Sequence, residues 1–316
     1  MKTRKIICAG AATYETVLSG IDRSLMDMDS VLASGSTAAT GGDALNTAIS
    51  LARLGSDVAL CACTGNDYEA DLLEKEIQKE NIQACLTRCK EAATSSPVVL
   101  VDTEGERHII RRPHSANHLF TGDMIPDGLL ASACHLHIGS ANVLPSLDGP
   151  PLARLFARAK RLGLTTSMDV SYDKNGRWLE NIEEALAYCD IFVPSLQEAS
   201  VYADTDDICR IHDFFARWPF RVFGIKLGPQ GIVLWAQDSS FRCESLSAGT
   251  PVDTTGAGDA CMAGILYGFI NGYALKETAL LGQAQAASVL SCYGANVSAG
   301  TFDQALSLIQ ERGYHL

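Results

Sequence analysis

The chain has no apolar run approaching the roughly 20 residues that a helical bilayer span needs. It also has no Lys/Arg-rich tract, no low-complexity linker and no internal repeat. The first absence argues against a membrane partner. The second, with a formal net charge of −12, argues against a nucleic-acid partner. The G-x-G-x-x-G fingerprint of a dinucleotide-binding fold is missing where it would have to stand. After the first apolar run the chain reads Cys8-Ala9-Gly10-Ala11-Ala12-Thr13, which argues against an oxidoreductase of that type. No Gly-Lys-Ser/Thr closes a Walker A loop either. The 11 cysteines include Cys61-x-Cys63 and Cys85-x3-Cys89 but no second matched pair, so no zinc site is expected. Most lie in apolar runs, as buried free thiols do, and the expected compartment is a reducing cytoplasm. The start, MKTRKIICAGAATYE, has too short an apolar patch for a signal peptide and reads as a first strand.

What is present is a chain of 316 residues, 47% hydrophobic and 20% charged, with short β-branched runs alternating with longer helical patterns. Strands are expected at Lys5–Ala9, Val58–Cys63, Pro97–Val101, Cys134–Ile138, Thr165–Asp169, Ile191–Pro194, Val222–Leu227 and Ile232–Ala236. Helices are expected at Asp43–Leu54, Asp67–Glu80, Pro150–Leu162, Ile182–Tyr188, Ile208–Arg217, Gly258–Asn271 and Leu275–Tyr293. In the first of these, Leu45, Ile49 and Ala52 recur at helical spacing, with Ala48 and Leu51 beside them. The alternation predicts an α/β fold: a mostly parallel central sheet with helices on both faces, a three-layer α/β/α core. Residues 12–40 and 94–114 break the alternation and read as hairpin material. The turn Thr103-Glu104-Gly105-Glu106 lies between two β-rich runs. One main domain over residues 1–316 is expected, with a small β-sheet lid inserted in two pieces.

Two glycine-rich stretches draw attention. In 41-GGDALNTAISLARLG-55, Gly41 and Gly42 precede a helix with Asp43 near its start. The pair lets a ligand approach the backbone, with Asn46 turned toward it, or is simply a loop with an Asp cap. In 253-DTTGAGDACMAG-264, Gly256, Ala257 and Gly258 add no bulk, and their N–H groups with those of the helix's first turn can converge on an anion. Asp259 then stands beside that anion hole, where a carboxylate can take a proton from a hydroxyl.

These two stretches resemble the N-terminal and C-terminal signatures of the ribokinase-like (PfkB-type) carbohydrate kinases, and the resemblance spans essentially the whole chain. It implies an ATP- and Mg²⁺-dependent transfer of the γ-phosphoryl group to a hydroxyl of a small sugar or sugar acid. Asp259 is then the base, and Gly256, Ala257 and Gly258 form the anion hole. Asp253 and the Thr255 carbonyl resemble part of the family's monovalent-cation (K⁺) site. The segment 289-VLSCYGANVS-298 supplies the rest through carbonyls near Val289, Cys292 and Gly294 and the Ser298 hydroxyl. In 191-IFVPSLQEAS-200, Glu198 fits the family glutamate that arranges magnesium through water, although Ser195 stands where Asn is usual. In 224-GIKLGPQGIVLW-235, Lys226, Gly228 and Gly231 are the ATP-side candidates, with Gln283 for the adenine pocket.

On the substrate side, Glu15 stands where the family usually has Asp, and two carboxylate oxygens can bind a diol. Gly42, Asp43 and Asn46 join it. Among Arg107, His108, Arg111, Arg112 and His114, Arg111 or Arg112 is the candidate partner for a substrate carboxylate or phosphate, unless the group is a solvated basic face. Asp169 and Asp173 follow a strand end and either line the pocket or cap the next helix. The resemblance further implies a homodimer through the lid. A nucleoside kinase of the same fold and a non-catalytic sensor are the alternatives.

Overall fold

The computed structural model describes residues 4–104, 106–237, 239–247 and 251–316. Among the described residues thirteen strands form two sheets. In chain order they are β1 (Lys5–Gly10), β2 (Thr13–Ile21), β3 (Gly35–Gly41), β4 (Val58–Gly65), β5 (Gln83–Cys89), β6 (Val98–Asp102), β7 (Arg107–Ile110), β8 (Ala133–Ala141), β9 (Thr165–Val170), β10 (Ile191–Phe192), β11 (Val222–Lys226), β12 (Ile232–Ala236) and β13 (Ser239–Cys243). The main sheet has nine strands in the order β13-β12-β11-β10-β9-β8-β1-β4-β5. It is parallel from β5 to β11 and antiparallel only at β11-β12-β13.

Ten α-helices among the described residues accompany it: α1 (Asp43–Arg53), α2 (Tyr68–Lys79), α3 (Asp127–Ser132), α4 (Pro150–Arg161), α5 (Glu183–Leu186), α6 (Leu196–Ala203), α7 (Ile208–Phe215), α8 (Ala257–Asn271), α9 (Leu275–Val289) and α10 (Phe302–Glu311). The period-2 alternation of the strands sorts them into two layers. Ile6, Cys8, Val58 and Leu60 face one core cluster with residues of α1, α2, α8, α9 and α10. Ile7, Ala9, Ala59 and Cys61 face the other, with residues of α3 to α7. A strand buried on both sides must be apolar throughout, and β4 (VALCACTG) is buried at every position.

The second sheet, in the order β3-β2-β6-β7, is built from the two stretches that broke the alternation. Strands β2–β3 and β6–β7 pair antiparallel, while β2 and β6 meet in parallel. Gly105 of the β6–β7 turn lies outside the described residues. The run Pro97–Val101 supplies β6 of this second sheet. Two edge strands of the main sheet, β5 and β13, carry no continuous apolar run because one side of each meets solvent, and they escape the sequence pattern. The last turns of two expected helices are absent: α5 is a single turn, and α9 ends at Val289.

Candidate active site

The parallel strands end where two helix N-termini converge, the switch-point geometry in which open α/β sheets bind ligands. Both helices begin at a glycine with a positive φ, +92° at Gly42 and +74° at Gly256. A Cβ on Gly42 would lie 2.5 Å from Ala11 O, and one on Gly256 2.0 Å from Ala295 O. Glycine is therefore required twice over, by backbone conformation and by close approach. No side chain caps either helix. Ala257 N donates to Thr254 O at 3.3 Å, and with no side-chain cap the other N–H groups at this helix start can turn to a ligand or solvent, so the segment 256–258 fits the cradle of a phosphate.

At these ends lies a cluster of charge. Asn46 Nδ2 donates to Asp259 Oδ2 at 2.8 Å, and the Thr47 hydroxyl donates to the Asp259 carbonyl at 3.4 Å. Lys226 Nζ donates to both oxygens of Asp169, at 2.8 and 3.0 Å. It also lies 3.4 Å from where a Cβ on Gly258 would stand, so the ammonium is at the lip of the glycine loop. Burial, then the negative charges of Asp43 and Asp169, push the Asp259 carboxyl well above the ordinary carboxylate range. The Asn46 hydrogen bond and the Lys226 charge only partly offset this. Burial likewise pushes Asp169 up to about 6 despite Lys226. Burial opposes the charge on Lys226, but Asp169 and Glu198 overcome it and hold the ammonium above its usual range.

Glu198 stands at the start of α6 in a capping box with Ser195. Its Oε2 accepts from Ser195 N at 2.8 Å, and Glu198 N donates to Ser195 Oγ at 3.2 Å. The Ser195 backbone bridges in parallel to that of Lys226, and its side chain works as a helix cap. No group of three or more His, Cys, Asp or Glu side chains able to hold a metal occurs among the described residues. A magnesium ion held mainly by nucleotide phosphates and water, near Glu198, fits that donor set.

The other end of the glycine loop is built differently. Asp253 Oδ1 accepts from Thr255 N at 2.9 Å and from Thr255 Oγ1 at 2.6 Å, and Asp253 Oδ2 accepts from Gly294 N at 2.9 Å. Val252 N donates to Leu290 O at 2.8 Å. The loop is thus fastened to the segment 289–298, whose Ser298 Oγ is buried with no hydrogen-bond partner among the described residues. An orphaned buried oxygen beside fastened carbonyls fits a small cation. Val289 is buried in the segment, and Cys292 is exposed.

On the substrate side, β2 sets Glu15 over Gly41: a Cβ on Gly41 would lie 2.3 Å from Glu15 Oε1. That oxygen accepts from Thr13 Oγ1 at 2.8 Å. Asp43 Oδ2 accepts from Ser171 Oγ at 2.6 Å. Several candidates stand apart from the cluster. Arg111 and Arg112 follow β7 and are exposed; burial works to raise the Asp67 carboxyl, but hydrogen bonds from Thr94 and Ala70, with a small part from the Arg112 charge, hold it below its ordinary range. Asp173 accepts from the N–H groups of Asn175, Arg177 and Trp178, so it organises the turn after β9. Gln283 is buried, its Nε2 donating to Cys261 Sγ on α8 at 3.8 Å. Gly228 and Gly231 form the β11–β12 turn with φ of +59° and +89°. Sequence reasoning passed over Thr40, Arg53, Ser171 and Asn296, because each partner lies far along the chain.

Residues 3–301 match the family model described as pfkB family carbohydrate kinase. An uncharacterized sugar kinase of Archaeoglobus fulgidus is 27% identical over 248 residues, covering 78% of this chain and 96% of that protein. A nucleoside kinase of Methanocaldococcus jannaschii is 22% identical over 312 residues, 98% of each chain. A putative ribokinase II from E. coli, solved with ATP and Mg²⁺, superposes with a TM-score of 0.84 at 19% identity, covering 98% of this chain and 99% of that one.

Proposed function

Since the chain belongs to the pfkB family of carbohydrate kinases and is an ATP-dependent phosphotransferase acting on a sugar hydroxyl, we propose that its acceptor is a small polyhydroxylated sugar or sugar acid and that Asp259 is the base. The observation that carries this reading is the Asp259 carboxylate at the uncapped N-terminus of α8, with a raised affinity for a proton. Glu15 and Asp43 lie on the neighbouring elements, and their oxygens suit sugar hydroxyls.

The acceptor hydroxyl gives its proton to Asp259 as its oxygen bonds to the γ-phosphorus. The bond from that phosphorus to the bridging oxygen breaks, and ADP leaves. Such transfer needs chiefly positioning and charge neutralisation. The N–H groups of residues 256–258 and Lys226 meet the charge spread over the transferring group. Magnesium, arranged near Glu198 through water, would neutralise phosphate charge. A K⁺ ion held by Asp253, the carbonyls of Thr255, Val289, Cys292 and Gly294, and the Ser298 hydroxyl would steady the glycine loop. The four-stranded sheet acts as a lid that excludes water, and its outer face pairs two subunits. No helix among the described residues is long and apolar enough to cross a membrane, which is in keeping with the cytoplasmic setting expected from the cysteines.

The test is an ADP-release screen over ketoses, aldoses, sugar acids and nucleosides. Turnover confined to sugars or sugar acids is expected. Turnover confined to nucleosides would establish the second reading, favoured by the full-length match to a nucleoside kinase. That reading needs a slot for a base, and segment 12–40 offers one aromatic, Tyr14, which packs against a core cluster instead.

A further inference from the structure

We propose that Asn296 is a positioning residue for the Asp259 carboxylate. It dictates which end of the Asn46 amide faces that carboxylate, and it ties the orientation to lid strand β3 through Thr40. The inference rests on the reading of Asp259 as the base.

The argument follows the polarity of one hydrogen-bond chain. A peptide carbonyl can only accept. Asn296 Nδ2 lies 3.1 Å from Thr40 O, at the end of β3, and 2.8 Å from Asn46 Oδ1. An oxygen in that place would face the Thr40 carbonyl, so the group there must be the NH₂, and its two hydrogens serve these two acceptors. The Asn46 atom facing Asn296 is then Oδ1, which leaves Asn46 Nδ2 to donate to Asp259 Oδ2 at 2.8 Å. An isolated amide could be turned either way; here a backbone carbonyl two hydrogen bonds away decides. Thr40, Asn46 and Asn296 are all buried, so water does not stand in for a missing partner.

Asn296 is itself pinned. Arg53 Nη1 donates to the carbonyls of Asn296, Val297 and Ala299 at 3.0, 3.0 and 3.1 Å. Glu80 holds the same guanidinium through Nε at 2.9 Å and Nη2 at 2.6 Å. The backbone that carries the amide is therefore held in place. A shift of β3 alters the donor on Asp259 instead, so lid position and proton affinity of the base are coupled.

The charged groups bearing on Asp259 are Asp43 from α1, Asp169 from β9 and Lys226 from β11. Against two carboxylates, the Asn46 donor is one of two influences that favour the ionised form. In Asn296→Asp, an oxygen replaces Nδ2, the Asn46 amide turns to donate to it, and Asp259 meets an oxygen. In Asn296→Ala, the Asn46 amide is released without any added charge.

The experiment measures kcat and KM for ATP across about pH 5 to 9 for the parent, Asn296→Ala, Asn296→Asp and Asp259→Asn. Both Asn296 variants are expected to lose about tenfold or more in kcat, the scale of a hydrogen bond to a charged group, with KM for ATP unchanged. Their acid limbs should move to higher pH, and Asn296→Asp should be the more affected. An acid limb left in place in Asn296→Ala overturns the proposal, even where kcat falls. A parental rate in Asp259→Asn overturns the base reading itself, which separates the two failures. Should both Asn296 variants unfold, NMR of the parent decides. The side-chain amide signals of Asn46 and Asn296 should shift with one midpoint as pH is lowered, and an Asn296 signal indifferent to that titration overturns the coupling.

Discussion

The two aspartates that bracket the glycine loop, Asp253 and Asp259, look alike in sequence and live in opposite surroundings. Asp253 accepts from two N–H groups and a hydroxyl, which fasten it to Thr255 and Gly294. Asp259 receives its side-chain donor from Asn46 and faces Asp43 and Asp169. A carboxylate surrounded by donors holds structure together. One surrounded by like charge at a helix N-terminus is poised to take a proton. The same residue type serves both ends because the neighbours, and not the residue, set the affinity.

The sharpest break of this contrast is Asp259→Asn, which should lower kcat by about 10²–10⁴-fold while ATP still binds, as read by isothermal titration. In the parent, activity should fall as pH drops through the raised Asp259 pKa, so the acid limb lies above the ordinary carboxylate range of about 4. Next is Lys226→Met, expected to cost about 10²-fold in kcat. It also leaves Asp169 buried without its cation. The double variant Asp169→Asn/Lys226→Met should regain melting temperature but not turnover, separating the pair's structural part from its part in transfer.

At the structural end, Asp253→Ala strands the N–H groups of Thr255 and Gly294. It should cost about 1–3 kcal/mol in urea unfolding, and Gly256→Ala about the same through its positive φ and the Ala295 carbonyl. The smallest effect has the opposite sign. The folded state holds the Asp259 proton more tightly than the unfolded chain, so this group's contribution to stability is lost as pH rises through the folded pKa. Asp259→Asn should therefore melt higher than the parent near pH 8, with the gap closing toward pH 4 by differential scanning fluorimetry.

Much of the fold was legible. The strand and helix alternation of the main sheet follows from apolar periodicity, and the stretches that broke it make the second sheet. The edge strands β5 and β13 were not legible, because half-exposed strands carry no continuous apolar run. In the site, the two glycine loops were legible because a positive φ demands a residue type at a fixed place. The Asn296–Asn46 bond was not, since its partners lie 250 residues apart and an asparagine two positions past a glycine reads as an ordinary loop residue. Where Ser195 stands, its hydroxyl and the Glu198 carboxylate form a reciprocal helix cap, an arrangement that the position of the serine in the chain did not announce.

By itself the sequence determined the α/β alternation, the places where the backbone is bare, and the acid that follows each glycine loop. These are local demands, and local residue choice answers them. The tertiary structure decided that Lys226 pairs with Asp169, that Asp253 is fastened while Asp259 is crowded by charge, and that Asn46 turns its amide nitrogen toward Asp259. The physical reason is that proton affinity and amide polarity depend on groups close in space, and folding gathered these from strands and helices far apart along the chain.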